Sequence, residues 1–158
     1  RNAPKTPPHA EMDATTLRPL LALMRKRHLG LGGLTVEQQA LVWALVWAGL
    51  PDGAMSERQV NEELKGQLAG AACFVDTDHV ELRRWLVDAG WLQRDGYGRE
   101  YRRTPQAELP ASVNAGHDAA QMLAHIPVAQ WAAEQHASHD AQRMARRQAW
   151  AQQQAGKA

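Results

Sequence analysis

Six arginines fall close together in the middle of this chain: Arg83, Arg84, Arg94, Arg99, Arg102 and Arg103. A guanidinium stays charged at physiological pH and presents a flat fork of donors. It bonds a phosphate, or the O6/N7 edge of a guanine, with two hydrogen bonds at once. Arginines gathered in this way are candidate nucleic-acid contacts, with phosphate attraction as the main source of affinity. The same neighbourhood carries Asp76, Asp78, Glu81 and Asp88, so the stretch Asp76–Gly90 has a net charge of −2. A helix that enters a major groove is seldom acidic. Two readings therefore stand side by side. In one, Arg83 and Arg84 touch DNA from a helix while Arg94, Arg99, Arg102 and Arg103 touch it from a hairpin. In the other, Arg83–Asp88 and Arg84–Asp88 pairs and an Asp78 cap brace the domain, and the hairpin and basic flanks do any binding.

Other chemistries are poorly supplied. His136 and His139 stand three apart with Asp140 adjacent, and His117 and His125 lie upstream. Helical histidine pairs can hold Zn²⁺ or Ni²⁺, but the spacing matches no finger, and a solvated polar helix explains these residues more simply. No metal or cofactor is expected. The glycine-rich Leu29–Gly33 lacks the lysine and the strand–helix context of a phosphate loop. No Ser/His/Asp order suggests a triad. Cys73 reads as a small buried residue rather than a nucleophile. Asp76 and Asp78 read as helix caps. The expectation is a binding protein and not an enzyme.

The aromatic inventory is uneven: six Trp against one Phe and two Tyr. Trp43, Trp47, Trp131 and Trp150 are more large aromatics than a small core needs. They are candidates for a protein interface, either between two copies of the chain or with a regulatory partner. Trp43 and Trp47 equally fit a core.

The elements that would position these residues follow from pattern. Residues 1–14 are Pro-rich and polar and suggest a flexible arm. Residues 15–33 suggest a basic helix, with Leu17, Leu20, Leu21 and Met24 on one face, then a glycine-rich linker. Thr35-Val-Glu-Gln38 and Ser56-Glu-Arg-Gln59 both match capping boxes. The first opens a helix with an apolar run from Ala40 to Ala48. The second opens one with Val60, Leu64 and Leu68 as a stripe. Cys73 and Phe74 sit in a loop available to the core. Asp76 or Thr77 is expected to cap a third helix with Leu82, Trp85, Leu86 and Ala89 inward and Gly90 at its end. Trp91–Arg94 and Arg99–Arg103 are strand candidates around the turn Asp95-Gly-Tyr-Gly98. This order is that of a mainly α, winged helix-turn-helix domain, three helices plus a β-hairpin wing, over residues 34–104. Residues 105–158 then form a loop and an Ala/Gln-rich helical extension, split at Pro127.

Composition sets outer limits. The chain has 158 residues and a net charge of +1, with basic patches near Arg25–Arg27, around the hairpin, and near Arg143–Arg147. One cysteine rules out an internal disulfide and suits a reducing, cytoplasmic setting. No run is long and apolar enough for a membrane span, and no secretory leader is read.

Residues 56–103 resemble a small bacterial domain of unknown function, number twenty eighty-seven in its series. The resemblance rests on Val60-Asn61 with Leu64, on Asp78, on Leu82-Arg-Arg-Trp-Leu-Val-Asp88, on Leu92-Gln-Arg94, and on Gly98-Arg-Glu-Tyr101. It departs at Asp76 and His79. It implies a winged-helix-like fold and an association with transcriptional regulators of the ArsR or MarR type, without a mechanism. Together with the arginines, it makes DNA the expected partner and a dimer the expected state. The rival expectation is a winged-helix adaptor or dimerisation module that binds protein and not DNA.

Overall fold

The computed structural model describes residues 15–157, so the arm expected over residues 1–14 lies outside the described residues. The chain is mainly helical with a small amount of sheet. Helix α1 (Arg18–Met24) carries Pro19 in its first turn and buries Leu20, Leu23 and Met24. The glycine-rich segment expected as a linker has structure of its own. Leu29–Gly30 forms strand β1, and Leu31–Gly33 turns as a 3₁₀ helix.

Helix α2 (Val36–Gly49) is the centre of the molecule. Both halves of its capping box form: Thr35 Oγ1 accepts from the Gln38 N–H at 3.1 Å, and Gln38 Oε1 accepts from the Thr35 N–H at 2.9 Å. Every residue from Ala40 to Trp47 is buried. A helix apolar all round has to be enclosed on every side, and α1 and three later helices pack against it.

Strand β2 (Met55–Ser56) leads into α3 (Glu57–Ala69), whose capping box also forms, between Ser56 and Gln59. Val60 and Leu64 are buried. The third buried position is Gln67, not Leu68, because the Gln67 amide donates to Val46 O of α2 at 3.2 Å. Strand β3 (Val75–Asp76) runs parallel to β1. Helix α4 (His79–Asp88) is capped by Asp78, whose carboxylate accepts from the Glu81 N–H at 2.8 Å. The cap is later than expected because Asp76 is held in β3, while the Thr77 hydroxyl donates to the Glu81 carboxylate. Gly90 follows with φ of 85°, a conformation that suits glycine.

The hairpin consists of β4 (Leu92–Arg94) and β5 (Glu100–Arg103), with Arg94 opposite Tyr101 and Gln93 opposite Arg102. Strand β2 adds to the other edge of β5, pairing Met55 with Tyr101, so the sheet order is β2-β5-β4. From α2 onward this part of the chain is therefore helix, strand, helix, helix and hairpin, with β1–β3 bracing the turn before α4.

The core does not stop at residue 104. Helix α5 (Asn114–Leu123) lays Gly116, Ala119, Ala120 and Leu123 into it, mostly against α2. Pro127 then separates α5 from α6 (Val128–Ala155). Val128, Ala132 and His139 of α6 are buried, whereas nearly everything from Met144 to Lys157 is exposed. No helix among the described residues is long and apolar enough to cross a membrane.

Candidate functional site

Leu82 and Leu86 anchor α4 in the core. Helical spacing then turns Val80, Arg84 and Asp88 to the other side. On the hairpin, Leu92 and Tyr101 face inward, and the two-residue period puts Arg94 on that same side. A groove of about 290 Å³ results between α4 and the hairpin, lined by Val80, Arg84, Val87, Asp88, Arg94 and Tyr101, with Arg83 also in its wall.

The six candidate arginines divide into two kinds. Arg83 donates to Asn61 Oδ1 at 2.6 Å, lies 3.4 Å from Glu57 Oε1, and holds its guanidinium 5.3 Å from the Tyr101 ring centre. Its side chain is only 18% exposed. It ties α4 to α3 and to the sheet. The expected brace therefore exists with different partners: Arg83 bonds across to Asn61 and Glu57 of α3, and Asp88 forms no ion pair with Arg83 or Arg84. Arg103 is likewise committed. Its Nε donates to Asp52 Oδ1 at 2.7 Å, a second nitrogen donates to Trp47 O at 3.3 Å, and its guanidinium lies 4.6 Å from the Trp47 ring centre.

Arg84, Arg94, Arg99 and Arg102 are exposed, and their side chains form no hydrogen bond or ion pair among the described residues. Arg84 and Arg94 share the groove. Arg102, opposite Gln93, points to the other face of the hairpin, and Arg99 sits just past its turn. The turn is held by Asp95, whose carboxylate accepts the Arg99 N–H at 2.8 Å. That bond, helped by neighbouring backbone N–H groups, holds the Asp95 carboxyl below the usual carboxylate range. Tyr97, at the tip, is nearly fully exposed. It was visible in Asp95-Gly-Tyr-Gly98 as a residue with nothing to pack against. Asn61 was visible only as part of Val60-Asn61, and no spacing rule could link it to Arg83.

The tryptophans also divide. Trp43 and Trp47 are 4% and 1% exposed. Trp47 donates its indole N–H to Thr104 O at 2.7 Å and meets Trp91 edge-on, and Trp43 stacks on Trp85 at 5.7 Å between ring centres. Both are core residues of this chain. Trp131 is half-buried, and Trp150 is 63% exposed. Cys73 is exposed rather than buried; its neighbours Ala72 and Phe74 fill the core, and the chain direction turns it outward. Its Sγ lies 3.7 Å from His136 Nε2, which also lies 2.9 Å from Ala71 O. Among the described residues no three His, Cys, Asp or Glu side chains are grouped as metal ligands.

No curated protein and no solved structure matches the chain significantly. The segment that holds α2, α3, α4 and the hairpin does have a family likeness: residues 35–103 match the model of a bacterial family described as "uncharacterized protein conserved in bacteria (DUF2087)", to which this part of the chain is similar.

Proposed function

We propose that residues 35–103 are a winged helix-turn-helix that binds double-stranded nucleic acid through the edge formed by α4 and the hairpin. The strand order β2-β5-β4 around a helix–strand–helix–helix–hairpin path supports the fold assignment. The observation that carries the binding assignment is the division among the arginines. Arg83 and Arg103 hold the elements together, while Arg84, Arg94, Arg99 and Arg102 stay free beside and around the groove. A free guanidinium keeps its full charge for phosphate. In this reading Arg84 meets the duplex from α4, Arg94 meets it from the inner side of the hairpin, and Arg99 and Arg102 follow the backbone beyond. A transcription-associated role fits the regulators implied by the family resemblance.

Fluorescence anisotropy with a random-sequence duplex, over a salt series, tests this. Binding should be tightest at low salt and fall as salt rises, since each neutralised phosphate contributes about −0.9 to the log–log slope. Replacing Arg84, Arg94, Arg99 and Arg102 with Ala should make the slope shallower by up to about 3 to 4. Absence of binding at low salt would sink the proposal. An unchanged slope in the fourfold variant would move the contact elsewhere.

A second reading has its own observation. Met144 and Trp150 are large, apolar and exposed on the far half of α6. They fit a surface for a second copy or a regulatory protein, well separated in sequence from the arginines, so this reading and duplex binding are compatible.

A further inference from the structure

A second recess lies on the other side of α4. It has a volume of about 290 Å³ and is bounded by α2, by the last turn of α4, by Trp91 and by residues 110–113. Three indoles, those of Trp43, Trp85 and Trp91, line it. They are held in place: Trp43 stacks on Trp85 with ring centres 5.7 Å apart, Trp85 donates its N–H to Glu81 at 3.4 Å, and Trp91 packs edge-on to Trp47 with ring centres 6.3 Å apart. The walls therefore need little reorganisation to receive a ligand.

One lining residue is charged, Asp88. The sequence suggested Arg83 or Arg84 as its partner, yet Arg83 is taken by Asn61 and Glu57, and Asp88 forms no ion pair among the described residues. Its position also borders the arginine groove, so its charge reaches both recesses. From a free carboxylate beside three indoles we infer that this pocket binds a small organic cation, of the quaternary or alkylammonium class. Indole is the aromatic group most attractive to a cation, and the attraction grows as water is excluded. An anion would meet the Asp88 charge, and a neutral guest would desolvate that carboxylate without replacing its hydration. The inference does not depend on nucleic-acid binding.

The test is a titration of the full chain with choline and with its neutral isostere, which has carbon in place of the quaternary nitrogen. The indole N–H resonances of Trp43, Trp85 and Trp91 report the site. Choline should shift these resonances saturably and bind at least roughly tenfold more tightly than the isostere. Asp88→Asn, at an exposed position, should bring the two affinities together while leaving the melting temperature nearly unchanged. Ala89→Leu, which fills the recess, should abolish the shifts. Equal binding of the two guests, no saturable shift, or unaltered choline binding in D88N would each overturn the inference.

Discussion

Arg83 and Arg84 are chain neighbours with different environments, and the difference is measurable. Arg83 makes a charge-assisted hydrogen bond to Asn61 and covers Tyr101, while Arg84 touches solvent. Truncating Arg83 removes that bond and strands the Asn61 amide, at a cost of about 1.5–3 kcal/mol. Arg84→Ala should stay within about 0.5 kcal/mol of the parent, as surface changes usually do. Urea denaturation of both variants checks this. Equal losses would mean that the contacts of Arg83 contribute nothing to folding. Arg84→Ala, and not a loss of fold, should be the variant that weakens duplex binding. Sequence could propose both arginines but could not separate them, because Asn61 and Glu57 lie on a different helix. Periodicity describes which residues share one helix face; it carries no information about which helix that face meets.

At the scale of elements, much of the fold was legible where a local rule has a local cause. Thr35–Gln38 and Ser56–Gln59 satisfy their own helix ends within four residues, and Gly90 ends α4 through its own φ. The two-residue strands β1, β2 and β3 were not legible, since two residues cannot display a period and their pairing partners are remote in sequence. The packing of α5 on α2 was equally hidden, because it depends on one missing side chain. A Cβ on Gly116 would stand 2.6 Å from Ala40 Cβ and 2.9 Å from Ala40 O. Helix propensity alone favours Gly→Ala by about 0.8–1 kcal/mol. Overpacking against backbone costs about 1–3 kcal/mol and wins here. Gly116→Ala should therefore lower the melting temperature. Gly66→Ala in α3, where a Cβ meets nothing within 4 Å, should raise it. Opposite signs from the same substitution in two helices would isolate the α2–α5 contact. A stabilised G116A would show that the two helices can separate without cost.

The molecule as a whole is closed where its first and last described helices meet, and that closure is sensitive to protons. His139 of α6 is buried, its Nε2 accepts from Arg25 Nε at 3.4 Å, and its Nδ1 has no partner among the described residues. The ring is thus neutral, with its proton on Nδ1. Around it stand Arg25 beyond the end of α1, and His136, Asp140 and Arg143 on α6. Asp140 bridges Arg27 at 3.0 Å and Arg143 at 3.5 Å, and Arg143 also donates to Arg25 O. Burial, then Arg25, His136 and Arg143, hold the His139 pKa below its ordinary 6.5, and Asp140 opposes them only in part. The unfolded chain therefore binds this proton more readily than the folded one, and stability rises with pH between the two pKa values. The contribution is intact above the unfolded value of about 6.5 and is lost as pH falls through the depressed folded value. Amide exchange should show α6 around Ala132–Arg143 opening between about pH 7.5 and pH 5, before the amides of α2 do. His139→Leu should remove most of that pH dependence, since it keeps an apolar group in the pocket and has no proton to gain. If H139L loses α6 protection over the same range, a neutral His139 is not what holds the α1–α6 contact.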